Sequence, residues 1–351
     1  MGATTTLDGF AASKGRQLGD AACAVLRDVA AGIRAIAKVL PRAAVAGAIA
    51  AAGDSASDSQ TEMDVVANEL LLDACGRSGR VAAVASEEMA EPYLFRGRAA
   101  GAPLLLALDP LDGTANLAVD VTVGTIFSIL RRPDGVRPGP DAFLQPGSSQ
   151  VCAGYALYGP WTMLVVATGG AVEGFTLDPA TDEFVRTHTS MRIPDEAREY
   201  AVNAANARRW DPPIRRYVEE CVAGSAGPRG VDFTMRWVGS TVADVHRILV
   251  RGGAFMHPRD PRVPDFPARL RLLYEAAPLA LVMEWAGGAG STGRARLLDL
   301  VPRSLHERTP VLLGSRREVE RLASYHDAAG GGPERPYTSP LFNARSLLRE
   351  S

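Results

Sequence analysis

The apolar run Leu104-Leu105-Leu106-Ala107-Leu108 is followed at once by Asp109-Pro110-Leu111-Asp112-Gly113. No other stretch constrains the chain as tightly. An unbroken apolar run of this length reads as a strand buried on both faces. Pro110 and Gly113 then force a turn. Two carboxylates, Asp109 and Asp112, therefore stand just past a strand end. Gly113 frees the backbone there, so amide N–H groups can close on an anion. Carboxylates for a hard cation, beside amides for a phosphate, are what metal-assisted hydrolysis of a phosphate ester requires.

The rest of the composition narrows the class. The 351 residues are 46% hydrophobic and 22% charged, which suits two domains, or one large one, with a sizeable core. A net charge of −2 argues against a nucleic-acid or membrane surface. The only lysines are Lys14 and Lys38; arginine carries the remaining positive charge, as GC-rich coding favours. Cys23, Cys75, Cys152 and Cys221 form no CxxC pair and read as small buried apolar residues. Residues 1–20 do not read as a signal peptide, and the Ala-rich stretch 43–52 is too short to span a bilayer. A cytoplasmic enzyme is expected.

Helical spacing runs from Leu18 through Val25, Leu26, Val29, Ile33 and Ile36 to Leu40, and Pro41 is expected to end that helix. Residues 43–52 read as a second short helix, 54–62 as a mobile loop, and Asp64 to Ala74 as a helix. Strands are expected at 81–85 and 121–130, with 131–149 a surface loop followed by a helix or turn. Hairpins are expected at 151–158/162–168 around Gly159-Pro160 and at 171–177/183–187 around Asp178-Pro179. Beyond them helical and strand patterns alternate, which favours layered sheets and helices. The division is placed at 1–195 and 196–351.

Acidic residues stand near element ends: Asp58, Asp64, Glu87, Glu88, Asp109, Asp112 and Glu275. Taken singly, most such acids are solvated surface charge. Here Glu87-Glu88 ends an apolar strand, and Glu275 follows the run Leu270–Tyr274, interrupted only by Arg271. Like charges gathered in a fold repel unless a cation neutralises them. Hard oxygen donors point to Mg²⁺ or Mn²⁺.

Ser86-Glu87-Glu88, Asp109-Pro110-Leu111-Asp112-Gly113, Gly124-Thr125-Ile126-Phe127, Ala153-Gly154-Tyr155 and Arg271-Leu272-Leu273-Tyr274-Glu275 occur in one order. By these motifs the chain resembles class 1 fructose-1,6-bisphosphatases over roughly residues 18–325. Gly227-Pro228-Arg229-Gly230, Asp232-Phe233 and Met235-Arg236-Trp237 resemble the bacterial Calvin-cycle type, which also acts on sedoheptulose 1,7-bisphosphate. The resemblance implies a layered αβαβα sandwich, an α/β fold shared with inositol monophosphatases, and a homotetramer. It implies that Glu87, Asp109, Asp112, Glu275 and the carbonyl of Leu111 hold Mg²⁺. Asp58, Asp64 and Glu88 would orient and deprotonate the attacking water. Backbone amides from Gly113 and Thr114, with Ala115 beside them, would bind the 1-phosphate of a sugar bisphosphate.

The distal phosphate end departs from the family. Asn203 and Arg236 match, Arg236 being expected to reach the neighbouring subunit's site. Trp237, Asn206 and His257 stand where tyrosines are common, and Arg269 where a lysine is expected. Arginine grips a phosphate through a flat fork, and histidine adds charge below its pKa. Drift with fructose 1,6-bisphosphate retained, and a pocket re-shaped for another sugar phosphate, both accommodate these changes. An AMP site is expected to be lost: Pro103-Leu104 replaces a Lys-Tyr pair and Leu18 a threonine, while Arg131 remains.

Two other readings stand beside this one. An inositol monophosphatase or bisphosphate nucleotidase would share the Asp109 motif but not Asn203, Arg236 or the Arg271 motif. A catalytically silent regulatory protein would lack a metal carboxylate. His246 reads as a packed helix residue, His188 and His306 as surface positions, and Tyr155 and Tyr158 as core or subunit contacts.

Overall fold

A computed structural model describes residues 5–45, 62–195, 197–259 and 268–329. The expected helix at 43–52 and loop at 54–62 fall largely outside these residues, as does Asp58.

Two sheets carry the fold. The first has eight strands in the order β2-β1-β3-β4-β5-β6-β7-β8. Its strands are β1 (Val81–Ser86), β2 (Tyr93–Leu94), β3 (Leu104–Asp112), β4 (Val123–Arg131), β5 (Gln150–Tyr158), β6 (Thr162–Thr168), β7 (Ala171–Asp178) and β8 (Glu183–His188). The second has the order β10-β9-β11-β13-β12, built from β9 (Glu199–Ala201), β10 (Thr234–Met235), β11 (Ala254–His257), β12 (Ala289–Ser291) and β13 (Val311–Gly314).

Helices fill three layers around these sheets. On the outer face of the first sheet lie α1 (Leu7–Ser13), α2 (Gly15–Leu18), α3 (Asp20–Val45) and α4 (Glu62–Cys75). A short α5 (Pro140–Phe143) packs beside β3. Beyond the second sheet lie α6 (Pro212–Val222) and α9 (Arg316–Ala329). Between the sheets lie α7 (Thr241–Arg251) and α8 (Ala277–Trp285). The result is the αβαβα sandwich.

The alternation in β5 shows how one sequence serves two cores. Cys152, Ala156 and Tyr158 pack with α3 and its neighbours, while Ala153, Tyr155 and Leu157 pack with α7 and α8. Side chains of a strand alternate faces, so a strand covered on both sides is apolar throughout. The same reasoning accounts for the apolar run 104–108 of β3, a strand buried over its whole length although it ends with Asp109 and Asp112. Gly154 lies 2.3 Å from the Val165 carbonyl when given a Cβ, so only glycine fits that crossing.

Both hairpins form close to the expected bounds. Four expectations are corrected. Asp109 and Asp112 lie inside β3 and not past its end, because pairing with β4 resumes at Asp112↔Gly124 after an irregularity that accommodates Pro110. Pro41 does not end its helix, since α3 continues to Val45. A proline removes one helical hydrogen bond, and here the remaining turn is held by Ala43, buried against the core. The strand expected from 121 starts at Val123. His306 is half-buried rather than superficial: its Nε2–H donates to the Met89 carbonyl at 3.1 Å, and its ring lies 5.3 Å from that of Tyr274. His246 is a packed helix residue on α7, 2.9 Å from the Tyr155 hydroxyl, and all four cysteines are buried. Among the described residues no helix is long and apolar enough to cross a membrane.

Candidate active site

Three elements meet at the C-terminal end of β1 and β3. Glu87 follows β1, its N–H donating to the Leu108 carbonyl at 2.9 Å. Asp109 lies in β3, just before the irregularity in its pairing with β4. Glu275 comes from a π-helical turn, Leu272–Ala276, that leads into α8. One carboxylate oxygen from each of the three lies within 4.8 Å of the others. A π-turn widens the helix by one residue, a departure that recurs at functional sites.

Burial and mutual repulsion make this cluster costly as it stands. Burial, then the charges of Glu87, Asp112, Glu275 and Glu88, hold the Asp109 carboxyl well above the usual range. Glu275 is held up by burial and then by Glu87 and Asp112. Burial pushes Glu87 up to about 7 against the pull of Arg271. The Arg271 guanidinium pairs with Glu87 Oε1, and the Arg271 N–H donates to Glu275 Oε2 at 2.7 Å. Glu87 Oε2 is buried with no hydrogen-bond partner.

Asp112 lies beside this trio, and its charge acts on all three members. Its Oδ2 accepts from the Ser240 hydroxyl and the Val242 N–H, each at 2.9 Å. Ser240 caps α7, so the ligand candidate and the helix start are joined. The Leu111 N–H donates to Asp109 Oδ1 at 3.2 Å, and Thr125 donates to the Pro110 carbonyl at 2.8 Å, which sets the turn. Gly113 has φ 79° and begins a 3-10 turn over Thr114–Val119. Thr114 is half-buried there and Ala115 exposed. Asp64 is buried in the first turn of α4; Glu88 is half-buried, its N–H donating to Ser86 Oγ at 3.3 Å.

The distal candidates gather around the second sheet. Asn203 caps a 3-10 turn through Ala205 N–H, and Asn206 accepts from Arg209 at 3.0 Å. Trp237 lies parallel to the Phe255 ring, centroids 6.2 Å apart, and 6.5 Å from that of His257. Arg236 is exposed. Burial, and then Arg269, hold His257 down to about 4, and its Nδ1 is buried without a partner. The extra charge expected from His257 is therefore available only in acid. A cavity of about 580 Å³, lined in part by Asp211, Arg259, Arg294 and His326, contains none of the clustered carboxylates.

Sequence reasoning missed Arg271, Ser240 and the Val242 N–H. Arg271 is visible in sequence as the charge that interrupts an apolar run. Ser240 carries the ordinary signature of an N-cap.

Two family models match, described as the N-terminal domain of fructose-1-6-bisphosphatase over residues 6–189 and its C-terminal domain over residues 193–327. The chain is 46% identical over 331 residues to "Fructose-1,6-bisphosphatase class 1 3" of Methylibium petroleiphilum, covering 93% of this chain and 92% of that one. Among solved structures it is similar to Leishmania major fructose-1,6-bisphosphatase in holo form, with a TM-score of 0.84 and 33% identity. That match covers 92% of this chain and 99% of the other. Together with the carboxylate cluster, these matches across both halves mean that the chain belongs to the class 1 fructose-1,6-bisphosphatase family.

Proposed function

We propose that this protein is a phosphoric monoester hydrolase that removes the 1-phosphate of fructose 1,6-bisphosphate to leave fructose 6-phosphate, with Mg²⁺ as its metal. The observation that carries this reading is the approach of Glu87, Asp109 and Glu275 within 4.8 Å. The residues fit a hard divalent cation: the donors are carboxylate oxygens, their charges repel, and Glu87 Oε2 is buried without a partner. Glu87, Asp109, Asp112, Glu275 and the Leu111 carbonyl are the proposed ligands. When bound, the cation supplies charge neutralisation for a dianionic ester and for its leaving oxygen.

The chain's own residues do the rest. Asp64 and Glu88, together with Asp58, orient a water and accept its proton. The Gly113 and Thr114 amides bind the 1-phosphate, with Ala115 beside them. Asn203, Asn206, Trp237, His257 and Arg269, with Arg236 from a neighbouring copy, bind the distal phosphate. No covalent enzyme intermediate is required. The site halves are assigned to residues 1–195 and 196–351, in a cytoplasmic homotetramer serving gluconeogenesis or the Calvin cycle.

A second reading keeps the chemistry and changes the sugar. His257, held neutral, and Trp237, parallel to Phe255, stand where the family commonly has tyrosines, and that change of distal residues supports a longer ketose bisphosphate such as sedoheptulose 1,7-bisphosphate. Phosphate release with Mg²⁺ decides between them, measured on both ketose bisphosphates, inositol 1-phosphate and several sugar monophosphates. Preference for fructose 1,6-bisphosphate is expected. Poor turnover of it beside good turnover of another ester overturns the first reading, and no turnover of any ester overturns both.

A further inference from the structure

Far from the carboxylates, Arg229 and Glu318 form a nearly dry ion pair. Their side chains are 6% and 8% exposed. Arg229 Nη2 donates to both Glu318 oxygens, at 2.6 and 2.7 Å, and Tyr217 donates its hydroxyl to Glu318 Oε2 at 2.7 Å. The guanidinium also lies 4.4 Å from the centroid of the Phe233 ring. A buried ion pair is weak evidence for stability, because desolvation offsets the attraction. Its better-attested use is to specify one arrangement.

The arrangement at stake is the segment between α6 and α7. Few of its side chains enter a core: Thr234, Met235, Arg236 and Val238 are exposed, and Phe233 is only partly buried. Its strand, β10, is two residues long and lies at a sheet edge. Downstream the segment is held by Asp244, which accepts from the Val238 and Gly239 N–H groups, and by Ser240 on Asp112. Upstream, the Ser225 N–H on Asp232 is exposed. The dry anchor there is Arg229, tied to α9 through Glu318. Contact runs from Glu318 to Arg229, to Phe233, to β10, and so to Arg236, whose N–H donates to the Tyr200 carbonyl at 2.9 Å.

We propose that Arg229, seated on Glu318, is a positioning residue that sets the reach of Arg236 toward the distal phosphate of the sugar. This rests on the proposed function, in which Arg236 grips that phosphate.

Steady-state kinetics of the full chain with Mg²⁺ test it, on fructose 1,6-bisphosphate and on fructose 1-phosphate, which lacks the distal group. Arg229→Met is expected to raise KM for the bisphosphate about ten-fold with kcat nearly unchanged, since uniform binding is lost. Its kcat/KM on fructose 1-phosphate is expected to match the parent. Glu318→Gln keeps the shape and an acceptor, and is expected to raise KM less. Arg229→Met combined with Arg236→Ala is expected to be no worse than Arg236→Ala alone, as for two members of one unit. Equal losses on both substrates with a lowered melting temperature overturn the inference, as does an unchanged KM in both Arg229→Met and Glu318→Gln while Arg236→Ala raises it. An Arg236→Ala enzyme with unchanged KM overturns the distal-phosphate reading itself, and the inference with it.

Discussion

Ser240 and Asp112, 128 residues apart in sequence, are joined by a 2.9 Å hydrogen bond from the serine hydroxyl to the carboxylate. The bond ties the end of β3 to the start of α7. It also fixes the carboxylate proposed to complete the metal site. Outer partners of a ligand typically change metal affinity about 10–100-fold when removed. Ser240→Ala removes one of the hydrogen bonds that hold Asp112, beside those from Val242 and Thr241, so the Mg²⁺ concentration for half-maximal activity should rise by about ten-fold. An unchanged Mg²⁺ titration in a folded variant counts against Asp112 as a ligand.

The same serine limits Gly113. A Cβ there would lie 2.8 Å from Ser240 Cβ, at a residue with φ 79°. Gly113→Ala should therefore cost about 1–3 kcal/mol of stability through backbone strain and the clash. Activity should fall more steeply than stability, because the displaced amides are those proposed to bind the 1-phosphate. Thermal unfolding and phosphate release on one preparation check both.

Four carboxylates, Glu87, Asp112, Glu275 and Glu88, act on Asp109 besides burial. Removing its charge relieves the cluster while removing a proposed ligand. Asp109→Asn should raise the melting temperature of the metal-free protein at neutral pH and abolish metal-dependent hydrolysis. A melting temperature that falls in the absence of metal contradicts this account of the cluster.

His257 bears on acid stability. Burial lowers its pKa from 6.5 to about 4, so the folded state favours the neutral ring. The stability associated with that ring is present above pH 6.5 and is lost as pH falls through about 4. His246, also held down to about 4 by burial, acts in the same direction. His257→Asn should reduce the loss between pH 6.5 and 4 by on the order of 2 kcal/mol. Denaturant melts of the two proteins across that range give the comparison; parallel curves refute it.

AMP should inhibit weakly or not at all. Leu18 and Leu104 are buried in the core, at 4% and 1% exposure, where the family's nucleotide contacts would need polar groups. Arg131 pairs with Leu104 across the sheet and is the remaining cation of that set. Inhibition at micromolar AMP overturns this prediction.

Much of the fold was legible because its signals are local. The apolar run 104–108 of β3 and the turns at Gly159-Pro160 and Asp178-Pro179 follow from burial on two faces and from backbone restriction. Pro41 misled because the rule for proline weighs one lost hydrogen bond and omits the packing of Ala43. His306 misled because the Met89 carbonyl that it meets comes from a segment 217 residues away.

From its own order of residues the chain determined which acids would stand beside apolar runs, and with them the class of chemistry. Tertiary structure alone decided which of those acids meet. It drew Glu87, Asp109 and Glu275 together, turned Asp112 onto Ser240, set Arg271 against Glu87, and seated Arg229 on Glu318. The reason is physical: strand and turn preferences act over a few residues. The pairing of charges depends on distances through space and on the loss of water, and both exist only once the sheets have packed.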